Sequence, residues 1–222
     1  MLRILVIAVL AVGALANQYE APIQNALEEL CKKNGAEDKM EEARNAGSNF
    51  LSCMRSYINV QSIVAEIEEA APKGTLDDVI KKYCGKAPQI EQCFHALIDG
   101  VSPCLDAQSR SRIPDTKNAV DQLFEFVCHN DGDRILIFIG EAGPECFSAK
   151  SDAIQRCTDT ARASGPNAGS SLTEQCAKYD RLTSCVVKAL KECSSTYPGN
   201  MADSLFQDIR KKSSCRDIPK QN

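Results

Sequence analysis

Apolar side chains recur along most of this chain at spacings of three and four, and Gly, Pro and Asn close each run. That period is the mark of a helix with one buried face. Ile23, Leu27, Leu30 and Cys31 predict a helix that opens near Pro22 and stops at Asn34-Gly35. Phe50, Leu51, Cys53, Met54, Tyr57, Ile58, Ile63, Val64 and Ile67 follow the cap-like Ser48 and run towards Pro72 and Gly74, as one long helix or two. Thr75-Leu76-Asp77-Asp78 resembles a capping signal for a short helix to Cys84-Gly85. Pro88 restarts the chain, with Ile90, Cys93, Phe94, Leu97 and Ile98 on one face before Gly100.

Val120, Leu123, Phe124, Val127 and Cys128 fill the i, i+3, i+4, i+7, i+8 template and predict a helix over 116–128. Residues 135–139 are apolar on every side and rich in β-branched residues, a pattern shared by buried strands and buried helices. Helix is the expectation, because Asp131 or Asp133 can cap it, Gly140 and Gly143 can end it, and no second strand-like segment exists to pair with it. Pro144 fits the first turn of a helix through Cys146, Ile154 and Cys157 to Ala161, closed by Gly165-Pro166. Ser171-Leu172-Thr173-Glu174 matches the capping box and opens a run carrying Leu182, Cys185, Val186, Ala189, Leu190 and Cys193. After Pro198-Gly199, Met201, Leu205 and Ile209 predict a last helix. The expected fold is all-α, a disulfide-stapled multi-helix bundle.

The first sixteen residues have the form of a secretory signal: Arg3, an apolar stretch from Leu5 to Leu15, and the small-x-small pattern Ala14-Leu15-Ala16. Residues 1–16 are therefore expected to be removed, leaving 17–222 as the secreted, extracellular domain. No other apolar run approaches the roughly 18 residues that span a bilayer. Without Arg3, 25 basic residues face 30 acidic ones. Nucleic acid is a poor partner for such a chain, since the one basic cluster, Arg210, Lys211, Lys212, Arg216 and Lys220, suits the dipole at a helix C-terminus.

Composition matters most through cysteine. The chain has 12 Cys and no Trp, and an oxidising compartment makes disulfides the default fate of thiols. The candidates are Cys31, Cys53, Cys84, Cys93, Cys104, Cys128, Cys146, Cys157, Cys176, Cys185, Cys193 and Cys215. Their spacings lack the close pairs of a structural zinc site. Cys84, Cys93, Cys104 and Cys128 step by 9, 11 and 24 positions, and Cys176, Cys185, Cys193 and Cys215 by 9, 8 and 22. Lys86 and Lys178 each follow the first Cys of the series by two, and Ile90 and Leu182 by six. The two ladders suggest a diverged duplication over 75–128 and 171–215, giving two pseudo-repeated helical halves. Cys185 and Cys193 are not expected to bridge each other, because a single helix separates them by about 12 Å along its axis.

Catalytic signals are thin. His95 and His129 are the two histidines, and no H-E-x-x-H or G-x-S-x-G motif occurs. No catalytic residue, metal ligand or cofactor site is assigned, and no enzymatic activity is expected. Asn130-Asp131-Gly132-Asp133 invites a calcium-loop reading, but placing Gly132 at the sixth position puts Val127 and Phe138 where carboxylates are required. A helix stop followed by a new start accounts for the same residues.

The segment from Phe126 to Cys146, with Asp131, Gly132, Asp133, Arg134, Gly143, Pro144 and Glu145 at its centre, resembles the signature of the insect 27-kilodalton haemolymph glycoprotein family. The resemblance extends from about Cys31 to Cys215. It implies a secreted, Cys-rich, helical haemolymph protein without a settled molecular function, and it transfers no catalytic residue. The chain departs from the family name in having no N-x-[ST] sequon, so N-glycosylation is not carried over.

Two functions fit these observations. The first is carriage of an apolar small molecule or lipid, with residues 135–139 lining a cavity between helices. The alternative is a disulfide-rigidified scaffold that presents helix faces to protein partners in defence or circulation. A pocket of roughly 300 Å³ or more favours the first, and an exposed apolar patch the second.

Overall fold

The computed structural model describes residues 20–163 and 171–220; the expected signal segment and the Gly165-Pro166 stop lie outside them. Among the described residues the chain is helical throughout, with no strand. It divides into two compact units, Met1–Phe124 with Asn130–Gly132, and Glu125–His129 with Asp133–Asn222.

The first unit begins with α1 (Glu20–Lys33), which ends where Gly35 takes a φ of 64°. A 3-10 turn, Glu37–Lys39, leads into α2 (Met40–Tyr57). Ser48 does not cap this helix. It lies mid-helix and accepts a hydrogen bond from Gln24 Nε2 at 3.1 Å. The buried stripe of α2 starts earlier than large apolar residues reveal, at Ala43 and Gly47. A Cβ on Gly47 would press on Leu27 Cδ1, so the glycine sets how closely α1 and α2 approach.

The long apolar run resolves into two helices. Ile58 is extended, and the Asn59 side chain accepts from Ser62 N at 2.9 Å to cap α3 (Val60–Ala70). The 3-10 turn Ala71–Lys73 and the left-handed Gly74 then lead to α4 (Leu76–Cys84). Ile67, Ala70 and Val79 form the buried seam between α3 and α4, flanked by Ile63, Leu76 and Tyr83.

Helix α5 (Ala87–Val101) passes through Gly100 rather than stopping before it. A Cβ there would overlap that of Ala46, so this glycine permits a close crossing with α2. The 3-10 turn Ser102–Cys104 and the short α6 (Ala107–Arg110), capped by Asp106 through a 2.7 Å bond from Ser109 N, follow. Next comes α7 (Ile113–Val127), which starts before the predicted Thr116 and whose last three residues belong to the second unit. Phe50 meets Phe94 edge-on and Phe94 meets Phe124 at a tilt, with centroids 5.0 and 6.0 Å apart.

In the second unit, residues 135–139 fall within α8 (Asp133–Gly140), as the context argument expects. The predicted helix from Pro144 to Ala161 is instead two, α9 (Gly143–Ala149) and α10 (Ser151–Ala163), broken at Lys150. The capping box forms in full: Ser171 Oγ accepts from Glu174 N at 3.3 Å, and the Glu174 carboxylate accepts from Ser171 N at 2.6 Å. It opens α11 (Leu172–Lys191). Pro198 and Gly199 do not break the chain but sit in the first turn of α12 (Tyr197–Lys211). Pro suits that position, and a Cβ on Gly199 would come within 2.9 Å of Lys191 N. Cys146, Cys157, Val186, Val187, Leu190 and Ala202 form the core, with Ile154, Leu182 and Phe206 around it.

All twelve cysteines are disulfide-bonded. Cys31 pairs with Cys104 and Cys53 with Cys93 in the first unit; Cys146 pairs with Cys193, Cys157 with Cys185 and Cys176 with Cys215 in the second. Among the side chains with almost no exposure, cysteines outnumber large hydrophobes: Cys31, Cys93, Cys104 and Cys176 join Leu190 and Pro198. Bridges therefore fill core positions that bulky aromatic residues take in chains richer in them.

Candidate functional site

The signature residues each have a separate structural partner. Asn130, Asp131 and Gly132 all have positive φ, at 48°, 59° and 98°. Asp131 does not cap α8; its carboxylate accepts from Lys81 Nζ at 2.7 Å. Gly132 is buried against Ile80 and Cys84, where a side chain would collide with the Ile80 methyl. In the second unit, Asp133 is the first residue of α8, and Arg134 lies over the Phe126 ring at 3.9 Å while donating to Phe126 O at 2.9 Å. Gly143 gives room to the Phe138 ring, which meets Phe147 edge-on at 5.5 Å. Pro144 starts α9, and one carboxylate oxygen of Glu145 is buried without a hydrogen-bond partner among the described residues. These residues shape turns and close approaches, and they assemble no common centre.

His95 is better connected than its sequence context suggests. Its Nε2 lies 2.8 Å from Asp121 Oδ1 of α7, although neither atom makes a hydrogen bond of good geometry among the described residues. Glu91 stands one turn before it. Burial, and then the negative charge of Asp121, push the Glu91 carboxyl above its ordinary range, against the pull of His95. His129 is exposed. Among the described residues, no group of three or more His, Cys, Asp or Glu is placed to hold a metal ion, and no helix is long and apolar enough to cross a membrane.

The second unit carries an open groove of about 430 Å³ beside α11 and α12, lined by Ser184, Val187, Lys188, Lys191, Glu192 and Asp203. Residues 135–139, the expected lining, do not contribute to it. Val187 is buried and forms the apolar floor, while Lys188 and Lys191 are exposed. The Glu192 carboxylate accepts from Lys150 Nζ at 2.9 Å, and the two lysines Lys150 and Lys188 hold its pKa below the ordinary range, Lys150 by the larger effect. The groove therefore offers an apolar floor at Val187 bordered by two ammonium groups, Lys188 and Lys191, and two carboxylates, Glu192, which is tied to Lys150, and Asp203. None of its residues stood out in the sequence, because solvated lysines on a helix face carry no pattern of their own.

Beneath this face, α11 and α12 are joined by a buried ion pair. Asp180 Oδ1 and Oδ2 accept from Arg210 Nε and Nη2 at 2.7 and 3.0 Å, with the two residues 5% and 8% exposed. Arg210 also donates to the carbonyls of Cys215 and Ile218 at 2.9 and 2.8 Å, fastening the segment after α12. Next to it, Tyr179 donates to Phe206 O at 2.9 Å, and burial followed by the Asp180 charge pushes its phenol up to about 12. A phenol whose pKa is higher folded than unfolded loses stabilising effect as pH rises from about 10 to about 12. Tyr179→Phe is expected to flatten the fall in stability across that window, measured by denaturant unfolding at stepped pH.

A family described as "Protein of unknown function (DUF1397)" matches residues 17–215. The chain belongs to that family. Among curated relatives, the chain is 44% identical to the "27 kDa hemolymph protein" of Galleria mellonella, over 97% of this chain and 96% of that one. It is 41% identical to the "27 kDa glycoprotein" of Bombyx mori, over 99% of each. It is 39% identical to the "27 kDa hemolymph glycoprotein" of Manduca sexta, over 98% of each. The family resemblance carried by the central signature is thus shown over nearly the full length. No solved structure matches.

Proposed function

We propose that this DUF1397 protein is a secreted, non-enzymatic binding protein of haemolymph-type fluid, and that the α11–α12 groove holds an acidic lipid or similar amphiphile. Six disulfides suit an oxidising, protease-rich fluid, and two of the relatives are named as haemolymph proteins. The observation that carries the ligand reading is the groove itself: a volume of about 430 Å³, an apolar floor at Val187, and Lys188 and Lys191 at its border, with the Glu192 carboxylate occupied by Lys150 and Asp203 the remaining acidic group. An alkyl chain would cover Val187 and the lysine stems, and an acidic head would meet the ammonium groups. The matching order of the bridges, Cys104 to Cys31 and Cys93 to Cys53, then Cys193 to Cys146 and Cys185 to Cys157, supports reading 75–128 and 171–215 as a diverged duplication.

The test is titration with a fluorescent fatty acid. Lys188→Glu with Lys191→Glu is expected to weaken binding about tenfold or more, because two attractive contacts become repulsive, while circular dichroism stays unchanged. Equal affinity in the variant removes the groove from the account. One observation favours the interaction scaffold instead: Ile137 of α8 and Phe147 of α9 are 47% and 40% exposed.

A further inference from the structure

The cysteines differ sharply in access. Cys31, Cys93, Cys104, Cys146, Cys157 and Cys176 are buried, and Cys53, Cys84, Cys128, Cys193 and Cys215 are partly covered; Cys185 alone is exposed. It bridges to Cys157, which is 5% exposed in the core of the second unit. Cys185 is therefore the exposed residue of this disulfide and Cys157 the buried one.

On α11 the charged side chains one turn either side of Cys185 are both cationic. On α11, Arg181 lies one turn before it and Lys188 one turn after it, both exposed, at the i−4 and i+3 positions where side chains are neighbours. No carboxylate occurs between them. Across the bridge, Arg156 precedes Cys157 and is exposed, and Asp159 is hydrogen-bonded to Gln155 on α10 itself. Glu192 lies two turns along α11 from Cys185 and is tied to Lys150. An incoming thiolate thus approaches a cationic surface, which raises both its local concentration and its stability.

The geometry points to Cys185 as a site of reversible modification by small thiols that carry carboxylates, the glutathione class. The thiolate attacks Cys185 Sγ along the exposed side, and a new sulfur–sulfur bond forms there. The Cys157–Cys185 bond breaks, its electron pair leaves on Cys157 Sγ, and that thiolate takes a proton from water. Access sets where attack begins, and the Cys157 thiolate, held by the fold beside Cys185, attacks the mixed disulfide in the reverse step, so withdrawal of the small thiol restores the bridge. The other bridges keep their sulfurs better covered. The exchange shares Lys188 with the groove, so its test is placed on Arg181, which does not line the groove.

The experiment exposes the folded, secreted protein to limiting glutathione, quenches with acid, alkylates with N-ethylmaleimide, and maps the peptides by mass spectrometry. The first product expected is glutathione on Cys185 with the alkylating group on Cys157. At equal thiolate concentration, glutathione should react about tenfold faster than the cationic thiol cysteamine, a preference that 1 M salt reduces. Arg181→Glu should erase that preference and Arg181→Lys should keep it, with unchanged circular dichroism in both. First modification at another bridge overturns the proposal, as does simultaneous loss of all bridges or an Arg181→Glu rate equal to that of the parent.

Discussion

Replacing Cys31 and Cys104 together by alanine is expected to lower the unfolding free energy of the first unit by about 4 kcal/mol. The bridge spans a sequence separation of 73, and both cysteines have no exposed surface. Its main effect is on the unfolded chain, whose freedom it restricts in proportion to the logarithm of the loop length. The Cys53–Cys93 bridge lies inside that loop, with a separation of 40. It shortens the effective loop, but only logarithmically, so most of the effect survives. The two sulfurs also pack with Ala43 and are flanked by Leu27, Leu30 and Met40, so their removal opens a cavity and adds to the loss. Guanidinium unfolding under non-reducing conditions measures this. A loss below about 1 kcal/mol would mean that the remaining bridges already restrain the unfolded chain.

The second large effect is at the ion pair of α11 and α12. Arg210→Ala is expected to destabilise the second unit by about 3–5 kcal/mol. The substitution leaves the Asp180 carboxylate buried without its guanidinium, and deprives the carbonyls of Cys215 and Ile218 of their donor. The double variant Asp180→Leu with Arg210→Leu should recover much of the loss, because the uncompensated charge is the costly element and the pair itself contributes little over an apolar replacement. A double-mutant cycle by thermal unfolding separates the two. If Arg210→Ala alone costs less than about 1 kcal/mol, water reaches Asp180 and the pair is not the anchor of this seam.

What the sequence made legible was governed by side-chain size. Helices with Leu, Ile and Phe at periodic positions were visible, and the Ser171–Glu174 capping box marked the start of α11 to the residue. Early boundaries and close crossings were missed where small residues did the packing. Gly100 read as a stop and Pro198-Gly199 as the break before the last helix, yet each glycine lies inside a helix, against Ala46 and against the backbone at Lys191. Ala43 and Gly47 extended α2 upstream of Ser48 for the same reason. The break of α9 from α10 at Lys150 had no Gly or Pro to announce it.

The site was less legible than the fold. Cysteine number and the separation of Cys185 from Cys193 predicted full pairing and excluded that one bridge, whereas the observed partners depend on helix packing that spacing does not encode. Asp180 offered a usable signal, since it occupies the same stripe as Cys176 and Ala177, where a charge needs a partner. The groove offered none: Ser184, Lys188 and Lys191 become a set only when α12 brings Asp203 beside them.

The central claim is that the protein travels with an acidic amphiphile in its α11–α12 groove. Native mass spectrometry of protein purified from extracellular fluid, followed by solvent extraction, tests it most directly. The account predicts a mass above that of the bare disulfide-bonded chain by one small molecule, released on extraction and identified as an acidic lipid. A bare mass, unchanged after incubation with extracellular lipids, would contradict the account and favour the interaction scaffold instead.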